Sequence, residues 1–157
     1  MIELLEEARE ELKRVDHQIY VSLKYTRTVD VLKLILQRLV SAFEIGVDIL
    51  LTAQKKKGII DSIPTSHKAK GDLLIDLAKS DTQMKEYIDF YMNIRRITRA
   101  TYECKEEYRR HVTMIVKLDC NIEITMDTVK KDYEKTKLFI NYIENIITDK
   151  DPNAPPQ

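Results

Sequence analysis

Residues that interrupt helices are scarce in this chain. Of its 157 residues only 3 are glycine and 4 are proline, and there is no tryptophan. Charged residues make up 33% of the sequence. Many charges with few helix breakers are typical of long helices with salt-bridged outer faces. A chain of this length fits one domain and can bury roughly 70% of its unfolded surface, so it needs no disulfide or metal to hold a core.

The chain also has no excess of charge. Lys and Arg together number 26, and so do Asp and Glu, which gives a net charge of +0. A protein without net charge has no overall field that would attract nucleic acid. Any binding of that kind must therefore come from a local cluster of basic groups.

Cysteine and histidine are too few and too scattered for a metal centre. Cys104 and Cys120 do not form a C-x-x-C pattern, and we interpret both as reduced thiols of a cytoplasmic protein. His17, His67 and His111 lie far apart, and none has a second ligand at the usual spacing. The sequence has no Gly-rich phosphate loop either, so we expect neither a metal nor another cofactor.

Long apolar runs are missing as well. A charged residue interrupts every apolar run well before the roughly 18 residues that a membrane span requires. The N-terminus opens with an acidic helix, whereas a signal peptide opens with a basic and then an apolar segment. We therefore expect a cytoplasmic protein with no membrane partner.

Hydrophobic periodicity predicts a mainly α fold. Apolar residues recur at helical spacing in five segments, which lie at about 2–23, 29–57, 67–79, 81–99 and 128–148. A β-hairpin is predicted near 111–126, because apolar and polar residues alternate on both sides of a turn-like segment at 118–121. For 101–110 a helical extension and an ordered turn both remain open. We expect one domain over 1–148, arranged as an up-down bundle, and a disordered Pro-rich tail at 149–157.

The second predicted helix is the most buried one. Its apolar residues cover nearly the whole circumference, which is typical of a helix at the centre of a bundle. Thr28 is its predicted N-cap, and Gly58 follows three lysines as a stop signal. Gly46 in its interior predicts a close approach by another backbone. Glu44 and Asp48 share the remaining polar stripe, and we interpret them as a structural polar pair that faces solvent or a cation.

The first predicted helix carries a narrow apolar seam of five residues. They recur at spacings of three and four and are Leu5, Ala8, Leu12, Val15 and Ile19. Such a seam suits packing inside the bundle, and it also suits pairing with a second copy of the chain. Both alternatives stay open.

One stretch concentrates basic and aromatic groups, and we call residues 95–111 the basic stretch. Its candidate anion-binding residues are Arg95, Arg96, Arg99, Tyr102, Lys105, Arg109, Arg110 and His111. Guanidinium groups pair with phosphates, and tyrosine faces can stack on unpaired bases. The functional interpretation is an RNA-binding surface. The structural alternative is that Glu103, Glu106, Glu107 and acidic residues of the second helix neutralise these cations.

His111 is the one candidate catalytic residue, and it is a weak one. A neutral imidazole can act as a general base. No serine, cysteine or aspartate lies at a suggestive local spacing. A metal-independent ribonuclease with His111 and Arg109 in a rearranged site is therefore an alternative to simple binding.

Two motifs resemble a known family. Y-T-R-T-V-D at 25–30 leads into the long apolar helix, and R-R-I-T-R-A-T-Y occupies 95–102. Over roughly 20–147 the chain resembles the HEPN superfamily, in an archaeal-looking variety. Catalytic members have an Arg-Asn pair followed by His and Tyr; here Arg95 and Tyr102 match, while Arg96 replaces the Asn and Ala100 the His. The resemblance implies a helical bundle with reduced or absent catalysis.

The resemblance also implies partners. Members of the superfamily frequently form homodimers and act on RNA or together with a nucleotidyltransferase. Our leading hypothesis is therefore a non-catalytic HEPN-like domain that binds RNA or a partner protein through the basic stretch. A self-associating structural bundle and the rearranged ribonuclease are the two alternatives.

Overall fold

The computed structural model of this chain describes residues 1–148, so the predicted tail at 149–157 lies outside the described residues. Its helical segments are α1 (Ile2–His17), a π-helical turn (Gln18–Ser22), α2 (Leu23–Tyr25), α3 (Val29–Lys56), α4 (His67–Ala78), α5 (Thr82–Arg99) and α6 (Met126–Ile147). Its strands are β1 (Thr101–Lys105), β2 (Thr113–Lys117) and β3 (Asn121–Ile124). The first three helical segments run on without a break, because the residues that join them keep helical angles. The prediction of a mainly α fold is confirmed.

Helix α3 is the centre of the molecule. Helices α1, α4, α5 and α6 all pack against it. Its buried residues lie on nearly every side, as the sequence predicts, and they are Val29, Leu32, Ile35, Leu36, Leu39, Val40, Ala42, Phe43, Gly46, Val47, Ile49, Leu50 and Leu51. None of the helices between residues 1 and 148 combines the length and the apolar character needed to cross a bilayer.

Both ends of α3 form as predicted. The Thr28 hydroxyl accepts a hydrogen bond from the backbone N–H of Val31. At the other end Gly58 takes a φ of 75°, the left-handed conformation that glycine adopts without strain. The N–H of Gly58 donates to Lys55, and the N–H of Ile59 donates to Gln54. This is the Schellman pattern, and it satisfies carbonyls that the helix end leaves open.

The apolar seam of α1 is used inside the molecule. Its five residues, Leu5 to Ile19, are each at most 9% exposed, and α1 packs on α3 and α6. Arg9 on its flank forms an ion pair with Glu144 of α6. The packing alternative is therefore confirmed. The seam is no longer an argument for self-association, and the expected homodimer stays a prediction.

The N-cap of α5 is an acidic residue whose carboxylate accepts two hydrogen bonds. Asp81 is the cap, since its Oδ1 accepts a hydrogen bond from the N–H of Met84. Its second oxygen accepts a hydrogen bond from the hydroxyl of Tyr142 on α6. A carboxylate can accept from both donors at once, because each of its two oxygens is an acceptor.

The sheet has three strands in the order β1-β2-β3, and both pairings are antiparallel. The hairpin β2-β3 confirms the prediction. Strand β1 differs from both alternatives that the sequence left open for 101–110, because residues 101–105 form neither a helical extension nor a turn. Ala100 is extended and ends α5, and the next five residues pair with β2 from Thr101↔Lys117 to Lys105↔Thr113. This strand lies at an edge with mostly exposed side chains, so it lacks the alternation that identifies a strand.

An aromatic cluster joins three helices at the centre of the core. The ring of Phe43 on α3 stacks on Phe139 of α6, with centroids 4.4 Å apart. It also stacks on Tyr91 of α5 at 5.7 Å, and Phe90 lies tilted against it at 5.6 Å. Each such ring pair stabilises the fold by about 0.5–1.5 kcal/mol in addition to the contribution of its buried area.

Gly46 leaves space on α3 for two side chains of α6. A Cβ at this position would lie 2.6 Å from Ile143 Cδ1 and 2.7 Å from Phe139 Cε1. Both distances are far below van der Waals contact. The close approach expected from the sequence is present, but side chains of α6 fill the space, not a second backbone.

We predict that Gly46→Ala lowers the free energy of unfolding by about 1–3 kcal/mol, because overpacking outweighs the gain in helix propensity of up to about 1 kcal/mol. Gly71→Ala is the matched control, since its Cβ would meet mainly the flexible thioether of Met92 at 3.0 Å. Urea unfolding of both variants measures the difference. Equal effects at the two glycines would contradict the steric argument.

One carboxylate on α6 is partly withdrawn from water. Burial raises the pKa of Asp132 to about 6, and the nearby Lys135 offsets only part of this effect. An unfolded aspartate has a pKa near about 3.9. Between about pH 4 and 6 the folded chain therefore keeps a proton that the unfolded chain has lost. The contribution of this group to stability consequently falls as the pH rises through that window.

We predict that Asp132→Asn raises the free energy of unfolding at pH 7 by about 1–2 kcal/mol, allowing for partial solvent exposure. At about pH 4 the variant and the parent should differ little, because the carboxyl is protonated in the parent fold. Asp89→Asn, at an exposed position of α5, is the control. Urea unfolding at both pH values tests the prediction, and a loss of stability at pH 7 would oppose it.

Candidate nucleic-acid interface

The basic stretch does not form a single cluster. It leaves α5 at Arg99 and then follows β1 as an extended strand. A strand rises about 3.3 Å per residue, so Thr101 and Lys105 lie about 13 Å apart. Arg95, Arg96 and Arg99 are at one end of β1, and the remaining basic residues lie at the other. The predicted surface is thus divided into two.

The arginines of α5 lie near acidic residues of α3. Burial raises the pKa of Tyr91 to about 12; the negative charges of Glu44 and Asp48 contribute to the increase, and the positive charges of Arg95 and Arg99 oppose it. All four charged groups therefore lie within electrostatic range of one hydroxyl. Arg96 points elsewhere and lies 3.9 Å from Asp119 in the β2-β3 turn, where both side chains are well exposed.

Glu44 and Asp48 connect α3 to α4. Lys70 Nζ lies 2.8 Å from Asp48 Oδ1, and His67 Nδ1 lies 3.7 Å from Glu44 Oε1. Two successive turns of each helix thus meet through polar groups. Lys70 and His67 are therefore polar partners of Asp48 and Glu44, and no local sequence pattern indicates either of them. Within residues 1–148 no group of three or more His, Cys, Asp or Glu side chains could hold a metal ion.

The second half of the basic stretch forms a loop that is fixed to the start of α3. We call residues 105–111 the basic loop. The N–H of Tyr108 donates to the carbonyl of Arg27 at 2.6 Å, and Glu107 Oε1 accepts from the N–H of Val29 at 3.3 Å. Glu106 and Tyr108 have φ values of 55° and 64°, which cost of order 1 kcal/mol or more each in residues other than glycine. The docking contacts hold these conformations.

The acidic neighbours of the basic loop are largely engaged elsewhere. Glu103 pairs with Lys117 at 3.4 Å, and Glu107 binds the first turn of α3. Among the residues that the structure describes, no carboxylate lies within 4.0 Å of Lys105, Arg109 or Arg110. The direct ion pairs that the structural alternative requires are therefore absent from this loop within the described residues.

Tyr102 is less available than the sequence suggests. It lies half-buried in β1, and Lys33 Nζ is 4.8 Å from the centroid of its ring. That cation occupies a face which a base would need for stacking. The tyrosine therefore serves mainly to hold the edge strand against α3.

A cavity of about 420 Å³ lies beside the basic loop, at the N-terminus of α6. Its charged and titratable lining consists of Lys105, Glu106, Arg110, His111, Glu123, Asp127 and Lys130. The lining thus contains three cations and three carboxylates, whose charges cancel. The cavity therefore offers an anion individual basic side chains but no strong positive field.

His111 lines this cavity with an exposed side chain. Within residues 1–148 no hydrogen bond orients its imidazole; only its backbone carbonyl has a partner, the Thr113 hydroxyl at 2.9 Å. A general base normally depends on a third group that fixes the ring. The catalytic alternative gains no support from this geometry.

Sequence reasoning missed two basic residues at this end of the molecule. Lys130 on α6 lines the same cavity as Arg110, although the two are twenty positions apart. Arg27 lies beneath the loop, and its Nε is buried without a hydrogen-bond partner among the described residues. Only the tertiary fold brings them here, so no local pattern could have indicated them.

The arrangement defines a class of protein only broadly, as a helical bundle with a small antiparallel sheet and a docked basic loop. No protein-family model, curated protein or solved structure matches the chain. The HEPN resemblance therefore stays a prediction.

We predict that Asp48 and Lys70 stabilise the contact between α3 and α4 with a coupling energy of about 0.5–1 kcal/mol, because Lys70 is largely buried. A double-mutant cycle with Asp48→Asn and Lys70→Met, followed by urea unfolding, measures it. The exposed pair Glu10 and Lys13, at 3.1 Å, is the control and should give no more than about 0.3 kcal/mol. Equal coupling in both pairs would argue against a role in helix contact.

Proposed function

We propose that this protein binds RNA through the basic loop, without cleaving it. The supporting observation is that Lys105, Arg109 and Arg110 form no ion pair within the described residues, while Glu107 fixes the loop and Glu103 pairs with Lys117. A non-catalytic member of the HEPN superfamily would have such a function, which is what the motif at 95–102 implies.

Three features of the basic loop suit an RNA ligand. Arginine binds phosphate oxygens through two parallel hydrogen bonds, so the adjacent Arg109 and Arg110 suit a phosphate backbone. Both are exposed. The loop carrying them is fixed by the Tyr108 and Glu107 contacts, so little conformational freedom is lost on binding. Binding by three cations should be moderate in strength and sensitive to salt.

We predict that the wild-type protein binds single-stranded RNA with a slope of log K against log salt near −2, the value for about three phosphate contacts. Replacement of Arg109 and Arg110 by glutamine should reduce the slope to about −0.7 and weaken binding at low salt. Fluorescence anisotropy between about 50 and 200 mM salt measures both quantities.

The matched control is the pair Lys55→Gln and Lys56→Gln at the far end of α3. The 28 residues of this helix place it about 40 Å from the docked loop. The control should bind as the wild type does. A similar loss in both pairs would indicate non-specific attraction and contradict the assigned surface. If the folded wild-type protein binds no RNA at low salt, the proposal is wrong and a partner protein takes its place.

A further inference from the structure

We propose that the RNA is recognised as a single strand, because Tyr20, Tyr25 and Tyr108 form a stacking surface for unpaired bases beside the basic loop. This inference rests on the proposed function and extends it to a class of ligand. It also brings in residues 18–25, which lie outside the basic stretch.

The exposure of these three tyrosines separates them from the others. Their side chains are 54%, 79% and 78% exposed for Tyr20, Tyr25 and Tyr108. Four of the eight tyrosines belong to the core, and Tyr102 is covered by Lys33. Exposed aromatic groups that gather in one region usually mark an interaction site.

The fold brings all three to the basic loop. The backbone hydrogen bond from Tyr108 to Arg27 joins the loop to the segment that directly follows Tyr25. Lys130 Nζ lies 6.0 Å from the centroid of the Tyr20 ring and also lines the cavity with Arg110 and His111. The tyrosines and the unpaired cations therefore share one end of the molecule, although they come from three separate parts of the chain.

Tyr20 lies within the π-helical turn at Gln18–Ser22. Turns of this kind are rare and frequently lie at functional sites. Here the turn follows the buried seam of α1. Tyr20 and Val21 within it, and Tyr25 shortly after it, are exposed. This segment keeps Ile19 and Leu23 in the core and presents Tyr20 and Tyr25 to solvent.

The combination has a defined chemical preference. Cations next to exposed aromatic rings bind single strands, because the cations follow the backbone while the rings stack on the bases. Duplex RNA keeps its bases stacked inside the helix and offers no faces to tyrosine. Lys130 lies 6.0 Å from the ring centroid of Tyr20, and Lys24 lies 5.9 Å from that of Tyr25. Both cations are farther from their rings than Lys33 is from the half-buried Tyr102, at 4.8 Å, so they leave the two exposed rings more open while supplying phosphate-binding groups.

The test uses the full chain and a labelled oligo-uridine of about 12 nucleotides, within the usual site size of such proteins. The variants are Tyr20→Ser, Tyr25→Ser and Tyr108→Asn, the last because asparagine tolerates the left-handed backbone. Each should weaken binding about 5- to 100-fold with an unchanged salt slope. Tyr20→Phe and Tyr25→Phe should bind as the wild type does, and so should Ile59→Ser, an exposed apolar position beyond the far end of α3.

Two further ligands separate the outcomes. Inorganic polyphosphate has no bases, so the serine and asparagine variants should bind it as tightly as the wild type does, and an equal loss would overturn the stacking assignment. Duplex RNA should bind more weakly than the single strand, and equal affinity would overturn the ligand class. If the tyrosine variants bind oligo-uridine normally while the Arg109 and Arg110 variant does not, the stacking surface is wrong and the proposed function stands. No binding of any polyanion would reject both.

Discussion

The need to cover α3 on nearly all sides determines this structure. A helix with apolar residues around most of its circumference cannot lie at a surface, so α1, α4, α5 and α6 must enclose it. The single polar stripe then has to meet polar partners, which Lys70 and His67 supply. The central ring of Phe43, stacked between α5 and α6, shows how completely the enclosure is filled.

The basic loop packs against the N-terminus of α3. The first N–H groups of a helix have no intrahelical partners. Thr28 satisfies one of them and Glu107 another. The Glu107 carboxylate that is used for this purpose forms no ion pair with Arg109 or Arg110. The same contact thus fixes the loop and leaves its cations unpaired, so the availability of the candidate site follows from the capping of the central helix.

Strong local signals allowed much of the fold to be predicted. Thr28 and Gly58 predict the two ends of α3, because helix capping depends only on neighbouring residues. The seam from Leu5 to Ile19 can be predicted from the helical period alone. Strand β1 could not be found, since an edge strand with exposed side chains has no alternation to detect. The division of the basic stretch depends on that strand, and the approach of Lys130 and Tyr20 depends on tertiary packing. The sequence therefore predicts the basic loop of the candidate site, but it does not predict which residues surround the loop.

The two oxygens of Asp81 link the beginning of α5 to the end of α6. One caps the first turn of α5, and the other accepts the hydroxyl of Tyr142 from the last turns of α6. The termini of separate helices usually fray independently of one another. Here both helix ends depend on the carboxylate of Asp81, so the two ends should fray together. When one of its hydrogen bonds breaks, the carboxylate is free to move, and the second hydrogen bond is weakened. Amide protons in the first turn of α5 and the last turns of α6 should therefore exchange with solvent through one common opening event.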